Sequence, residues 1–209
     1  MSKPSSMPSS ITKQPHLVLA SSSPRRQELI ALLGLPVVVK PSLVGEETPA
    51  DWSPAMIVEQ LSLRKAEAVK DELDVAVDAD AIVVGSDTIV VLNGEAMGKP
   101  SDEQDAFRML GALAGRTHEV YTGVTCIRVS DGKTSTAHRV TKVTMRKLSD
   151  DQIARYIATG EPMDKAGAYG IQEIGSLLVE SIEGCYFNVV GLPVSQLAVQ
   201  LELFGITIP

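Results

Sequence analysis

Two uninterrupted aliphatic runs, Leu17-Val18-Leu19-Ala20 and Ala81-Ile82-Val83-Val84, set the terms on which this chain can fold. Neither alternates apolar with polar residues, so a strand made from either is apolar on both faces and has to be covered on both. Val37-Val38-Val39 reads as a third, shorter strand. Hydrophobic residues make up 44% of the chain but aromatics only 4%, so the core has to be filled by Val, Leu, Ile and Ala. Such a core suits a sheet sandwiched by helices better than an aromatic-rich barrel. The length of 209 residues fits one domain over residues 17–209. It follows a Ser-, Pro- and Lys-rich tail, residues 1–16, that has no apolar signal-peptide core and reads as disordered.

Helical signals alternate with the strands. Ser23 and Pro24 open a helix over residues 25–33 that Gly34 ends, and Gly160 ends another over 150–159. Apolar residues at helical spacing mark 53–73, 101–114 and 193–204. Between them, Ile89-Val90-Val91-Leu92 leads into Asn93-Gly94, a strong hairpin signal. Residues 120–129 and 135–143 read as a meander around Asp131-Gly132, with a last strand over 177–182. The fold class is α/β, a mixed and twisted central sheet flanked by helices, because a hairpin and a meander are incompatible with an all-parallel sheet.

The formal net charge of −7, from 26 acidic and 19 basic residues, argues against duplex nucleic acid as a partner. It leaves room for a small anionic ligand in a locally basic cleft. Cys126 and Cys185 form no Cys-x-x-Cys pair, which points to a reduced, cytoplasmic compartment. The apolar runs are too short to span a bilayer, so no membrane partner is expected.

Four constellations carry chemistry. Ser21-Ser22-Ser23-Pro24-Arg25-Arg26, between a strand and a helix, offers hydroxyls, backbone N–H groups and two guanidiniums to phosphate oxygens. The same residues also describe a well-capped helix with two exposed arginines. Asp87, in Gly85-Ser86-Asp87-Thr88 at the carboxyl end of the apolar run, is a candidate to bind Mg²⁺ or to orient an attacking water. The competing reading is a turn aspartate that caps its own backbone. Lys65, Lys99 in Met97-Gly98-Lys99-Pro100, and Lys165 in Asp164-Lys165-Ala166-Gly167 are candidate phosphate contacts, or surface charges. Glu46 and Glu47 could complete a metal site, and Gln172 carries both a donor and an acceptor for a base edge. His16, His118 and His138 show no ligand spacing and are assigned structural roles.

Taken together, these residues resemble the Maf-like proteins. Leu19-Ala20-Ser21-Ser22-Ser23-Pro24-Arg25-Arg26, Arg64-Lys65-Ala66, Gly85-Ser86-Asp87-Thr88-Ile89-Val90 and Gly98-Lys99-Pro100 occur in that family's order. So do Thr117-His118-Glu119-Val120-Tyr121-Thr122-Gly123 and Glu161-Pro162-Met163-Asp164-Lys165-Ala166-Gly167-Ala168-Tyr169-Gly170-Ile171-Gln172. The segment Gly184-Cys185-Tyr186-Phe187-Asn188-Val189-Val190-Gly191-Leu192-Pro193 completes the series, and the likeness covers about residues 17–205.

The resemblance implies a nucleoside triphosphate pyrophosphatase of the inosine-triphosphatase-like fold, with two lobes around a nucleotide cleft. It further implies a divalent metal, Mg²⁺ with Mn²⁺ or Co²⁺ as alternatives, and a homodimer. Asp87 falls on the proton acceptor, with Asp87 and Glu46 toward the metal. Ser21, Ser23, Arg25, Arg26, Lys65, Thr88, Lys99, Lys165 and Gln172 fall toward the substrate, and the Gln172 context matches the branch acting on dTTP and UTP. A pyrophosphatase for 7-methyl-GTP or inosine triphosphate, or a non-catalytic nucleotide-binding regulator of cell division, is the alternative. Two positions depart from the family pattern: Ser86 stands where Ala is common, and Glu173-Ile174 replaces a glycine-led step.

Overall fold

A computed structural model describes residues 15–208; the tail assigned to residues 1–16 lies outside it up to residue 14. In chain order the elements are β1 (Leu17–Leu19), α1 (Pro24–Ala31), β2 (Val37–Val39), α2 (Pro54–Asp71), α3 (Val75–Asp78), β3 (Ile82–Leu92), β4 (Glu95–Met97) and α4 (Glu103–Leu113). They continue with β5 (Thr117–Arg128), β6 (Thr134–Met145), α5 (Asp150–Ile157), β7 (Val179–Glu183), α6 (Tyr186–Val190) and α7 (Val194–Glu202). Between α5 and β7 the chain forms 3-10 turns at Glu161–Asp164, Ala166–Ala168 and Glu173–Leu178.

The strands form one mixed sheet in the order β2-β1-β3-β5-β6-β7, with β4 also on β3. β1 is parallel to both β2 and β3, and the remaining pairs are antiparallel. The α/β class with a mixed sheet is thus the observed one. Asn93 and Gly94, both at positive φ, make the β3–β4 hairpin.

Helix starts follow local chemistry. Ser23, Ser53, Asp102 and Ser149 each accept a hydrogen bond from a backbone N–H of the first turn. Pro24 and Pro54 occupy the first helical position, where a missing N–H costs nothing. Gly34 and Gly160 follow their helices at φ +68° and +76°, as their positions in the sequence imply.

β3 organises the packing, because its two faces are covered differently. Residues alternate across a strand. Val83 faces Val18, Ala66 and Val69 in one cluster, and Ile89 and Val91 face Val58 in another, so α2 covers this face at both ends. On the opposite face, Ile82 and Val84 join Leu17, Leu19, Ile30, Leu197 and Leu201, a core shared with α1 and α7. Val90 and Leu92 join Leu110, Leu113, Ile153 and Tyr156, a core shared with α4 and α5. Between the two cores of this second face β3 presents Ser86 and Thr88.

Two readings of the sequence need correction. β3 is one strand of eleven residues, not two runs separated at Ser86-Asp87-Thr88, because β5 pairs with it from Ile82↔Arg128 to Val91↔Glu119. The turn-aspartate reading of Asp87 falls with it. The last strand starts at Val179, since Leu177 and Leu178 belong to a 3-10 turn.

Candidate active site

β3 outruns its parallel neighbour. β1 pairs with it only as far as Leu19↔Val84, and β4 takes up the same edge at Val90↔Met97. Residues 85–89 therefore have β5 on one side and no strand on the other. A cleft of about 530 Å³ opens at this gap, within the range of small-molecule sites. Asp87 and Thr88 point to opposite faces of the sheet, yet both line the cleft, which wraps around the open edge.

On the Asp87 face, α2 sits unusually close. A Cβ at Gly85 would collide with the Ser62 carbonyl oxygen, and one at Gly123, the cross-strand partner of Asp87, with that of Val58. Only glycine at both positions lets the helix backbone rest on the sheet. That seat carries Lys65 over Asp87. The ammonium Nζ lies 2.6 Å from Asp87 Oδ1 and 2.6 Å from Glu46 Oε1. Lys65 and Asp87 are buried at 9% and 6% exposure, so this pairing keeps the strand's carboxylate from being a buried, unmatched charge. The hydrogen bond from Lys65 holds the Glu46 carboxyl below its usual range, against a smaller opposing effect of burial.

On the Thr88 face the anchor is Arg26. Its guanidinium donates from Nε to the Gly191 carbonyl (2.9 Å), from Nη2 to Thr88 Oγ1 (3.0 Å) and from Nη1 to Ser21 Oγ (3.4 Å). Burial lowers its pKa, and Asp87 works in the opposite direction. Ser86 Oγ donates to the same Gly191 carbonyl at 3.0 Å; the departure from alanine at this position thus adds a bond between β3 and the α6–α7 connection. Thr88 and Thr122 share a hydrogen bond of 3.0 Å, and Thr122 donates to the Asn188 carbonyl at 2.8 Å.

The remaining candidates ring the opening. Ser21 Oγ accepts from Ser23 N–H (3.2 Å), shaping the turn before α1. Arg25 reaches across to Asp164 at 3.6 Å. Lys165 Nζ donates to the Glu161 carbonyl (2.6 Å) and to Asp164 Oδ1 (2.8 Å). Lys99 lines the cleft and adds to the field that acidifies Glu46. Gln172 lines it too, and its side chain makes no cap bond to the turn it opens.

Ser21, Ser23, Arg25, Arg26, Glu46, Lys65, Asp87, Thr88, Lys99, Lys165 and Gln172, all picked from the sequence, thus border one cleft; Glu47, the second carboxylate of its pair, does not line it. Arg26 differs most from a free phosphate contact, since three of its nitrogens already donate to the protein, and Lys65 and Lys165 are likewise held by protein oxygens. Sequence reasoning missed the Gly191 carbonyl, Thr122 and the Glu161 carbonyl that receives Lys165. Gly191, Thr122 and Glu161 lie in motifs that carry the family resemblance without a role of their own, and a backbone carbonyl leaves no trace in residue type.

Among the described residues no group of three or more His, Cys, Asp or Glu side chains is arranged to hold a metal. Asp87 and Glu46, two carboxylates meeting at one ammonium, still fit a hard divalent cation. Mg²⁺ is commonly held by one or two carboxylates, with water and substrate phosphates completing its shell.

Fold and site together define an α/β protein with a cleft at an interrupted sheet edge, lined by arginines, lysines and carboxylates and built around a buried aspartate. The chain belongs to the Maf-like protein family, whose model matches residues 16–204. It is 52% identical over 192 residues to a protein of Moorella thermoacetica named dTTP/UTP pyrophosphatase, covering 92% of this chain and 96% of that one. Proteins of the same name from Desulforamulus reducens (47% over 192 residues; 92% and 98% covered) and Symbiobacterium thermophilum (50% over 189 residues; 90% and 94%) are similarly related.

Proposed function

We propose that this chain hydrolyses dTTP and UTP to the monophosphate and pyrophosphate. The observation that carries the reading is the buried Asp87–Lys65 pair on the open edge of β3, inside a cleft ringed by cations. The names of relatives about half identical over nearly the whole chain support the substrate class.

Asp87 accepts the proton of the water that attacks the α-phosphorus. Lys65 holds and aims the Asp87 carboxylate. Arg25, Lys99 and Lys165 offset the charge of the triphosphate and of the departing pyrophosphate, with N–H and hydroxyl groups of Ser21 and Ser23 beside them. Arg26 acts from behind, fixing Thr88 and the Ser21 turn while its charge adds to the same field. A divalent cation, Mg²⁺ in the first place and Mn²⁺ or Co²⁺ as alternatives, would be held by Asp87 and Glu46 and would neutralise phosphate oxygens. Gln172 reads the uracil or thymine edge through paired hydrogen bonds. Cytoplasmic location and a homodimer belong to the same reading; no described helix is long and apolar enough to cross a membrane.

Pyrophosphate release from dTTP, UTP, 5-methyl-UTP, CTP, inosine triphosphate and 7-methyl-GTP, with Mg²⁺ present, tests this. Selective turnover of dTTP and UTP is the expected result. Turnover of a purine triphosphate instead would overturn the base assignment, and nucleotide binding without turnover would favour a regulator.

A further inference from the structure

The segment that carries Lys165 and Gln172 is neither helix nor strand. Gly167, Ala168 and Glu173 all sit at positive φ, at +68°, +59° and +53°, so neither an α-helical nor a strand hydrogen-bond ladder can hold it in shape. Backbone N–H groups in such a segment need other acceptors. One side chain supplies two of them. Glu161 Oε1 accepts from the Gly175 N–H at 2.9 Å, and Oε2 accepts from the Ile174 N–H at 3.1 Å. The Glu161 backbone carbonyl also accepts from Lys165 Nζ at 2.6 Å. Tyr156, from α5, completes the arrangement: its hydroxyl donates to Glu161 Oε1 at 2.9 Å and accepts from the Gly170 N–H at 3.2 Å.

The node is packed with no room to spare. A Cβ on Gly175 would collide with the Gly170 carbonyl oxygen and lie 2.6 Å from the Tyr156 hydroxyl and 2.9 Å from Glu161 Oε1. Gly170 on one side and Ile174 and Gly175 on the other, the three points pinned, bracket Gln172, so the clamp fixes where the Gln172 amide stands relative to the sheet. The hydrogen bonds of Asp87 go elsewhere, to Lys65.

We propose that Glu161, with Tyr156, is a positioning residue for base discrimination: it clamps the backbone on both sides of Gln172 and holds Lys165. The inference rests on the proposed function, in which Gln172 reads the base. A carboxylate is suited to this task because it accepts at both oxygens. Glu161→Gln keeps the size of the side chain but turns an N–H₂ donor toward one of the two backbone N–H groups, which opens that side of the clamp.

The test compares kcat/KM for UTP and CTP in the wild type, Glu161→Gln, Tyr156→Phe and Gln172→Ala, with amide exchange followed at Gly170, Ile174 and Gly175. In Glu161→Gln the UTP-over-CTP ratio is expected to fall about tenfold, through KM for UTP more than through kcat, and whichever of the Ile174 and Gly175 amides faces the new N–H₂ group to lose protection. Tyr156→Phe, the milder variant, shifts the ratio the same way by a smaller factor and exposes the Gly170 amide. A purely structural role would lower Tm and leave the ratio where it was. An unchanged ratio in Glu161→Gln overturns the inference whatever Gln172→Ala does. An unchanged ratio in Gln172→Ala removes base reading by that residue and, with it, the role of Glu161 in positioning it, even where Glu161→Gln lowers the ratio. If the wild type releases no pyrophosphate, the proposed function falls, and protection retained at Ile174 and Gly175 in Glu161→Gln would then overturn the clamp by itself.

Discussion

At one end of the cleft Asp87, Thr88, Lys65 and Arg26 stand on a strand and two helices; at the other, Lys165 and Gln172 stand in the links before and between 3-10 turns, among three left-handed residues. The first end is placed by the regular ladder of β3 with β5 and by the close seat of α2 on Gly85 and Gly123. Its polar side chains are therefore free to meet each other and a ligand. At the second end the backbone itself has to be held. Tyr156, Glu161 and the buried pair of His118 Nε2 with the Tyr169 hydroxyl, 2.7 Å apart, are taken up in doing so. A site whose chemistry is common to all nucleoside triphosphates gains from the rigid end. A site that selects among bases can be built at the end whose shape depends on a few side chains.

The sharpest break between the two ends comes from Asp87→Asn. Turnover is expected to fall by about 10²–10³ or more in a steady-state pyrophosphate assay, with the fold kept by the strand ladder and the melting temperature lowered because buried Lys65 loses one of its two carboxylates. Gln172→Ala should do the opposite: hydrolysis persists, but the preference for UTP over CTP falls by the factor that about 1–3 kcal/mol represents, read from competing substrates.

The irregular end should also be the acid-sensitive one. Burial lowers the His118 pKa from 6.5 to about 4, so between those values the unfolded chain takes up a proton that the folded chain refuses. Stability is then present above pH 6.5 and is lost as the pH falls toward 4, by up to about 3 kcal/mol. Urea midpoints across that interval should show this slope, and His118→Phe should flatten it.

Thr88→Val leaves Arg26 Nη2 without its acceptor and is expected to destabilise the protein by about 1–3 kcal/mol, with a smaller loss of kcat/KM than at Asp87. The smallest effect belongs to Glu173→Gly. It relieves a left-handed non-glycine residue and should raise the urea midpoint by the equivalent of at most about 1 kcal/mol.

Local chemistry wrote much of the fold into the sequence. The apolar runs of β1 and β3, the cap at Ser23, the stops at Gly34 and Gly160 and the Asn93-Gly94 hairpin depend on neighbours a few residues away, and each stands where the sequence puts it. The site residues were legible as motifs for a related reason: hydroxyls, guanidiniums and lysines beside glycines and prolines are the groups that meet phosphate. What the sequence could not reveal depends on long-range pairing. Whether Ser86-Asp87-Thr88 is a turn or a strand is settled by β5, far along the chain, whose ladder runs straight through it. Where β1 stops and β4 starts decides that the edge is open at Asp87. Lys65, Glu46 and Asp87 become one cluster only because two glycines admit α2 to the sheet. Arg26 turns inward because the Gly191 carbonyl, near the other end of the chain, arrives to receive it. Residue type carries the propensity of a segment and the chemistry of a side chain, but a partner supplied by a distant part of the chain exists only once the chain has folded.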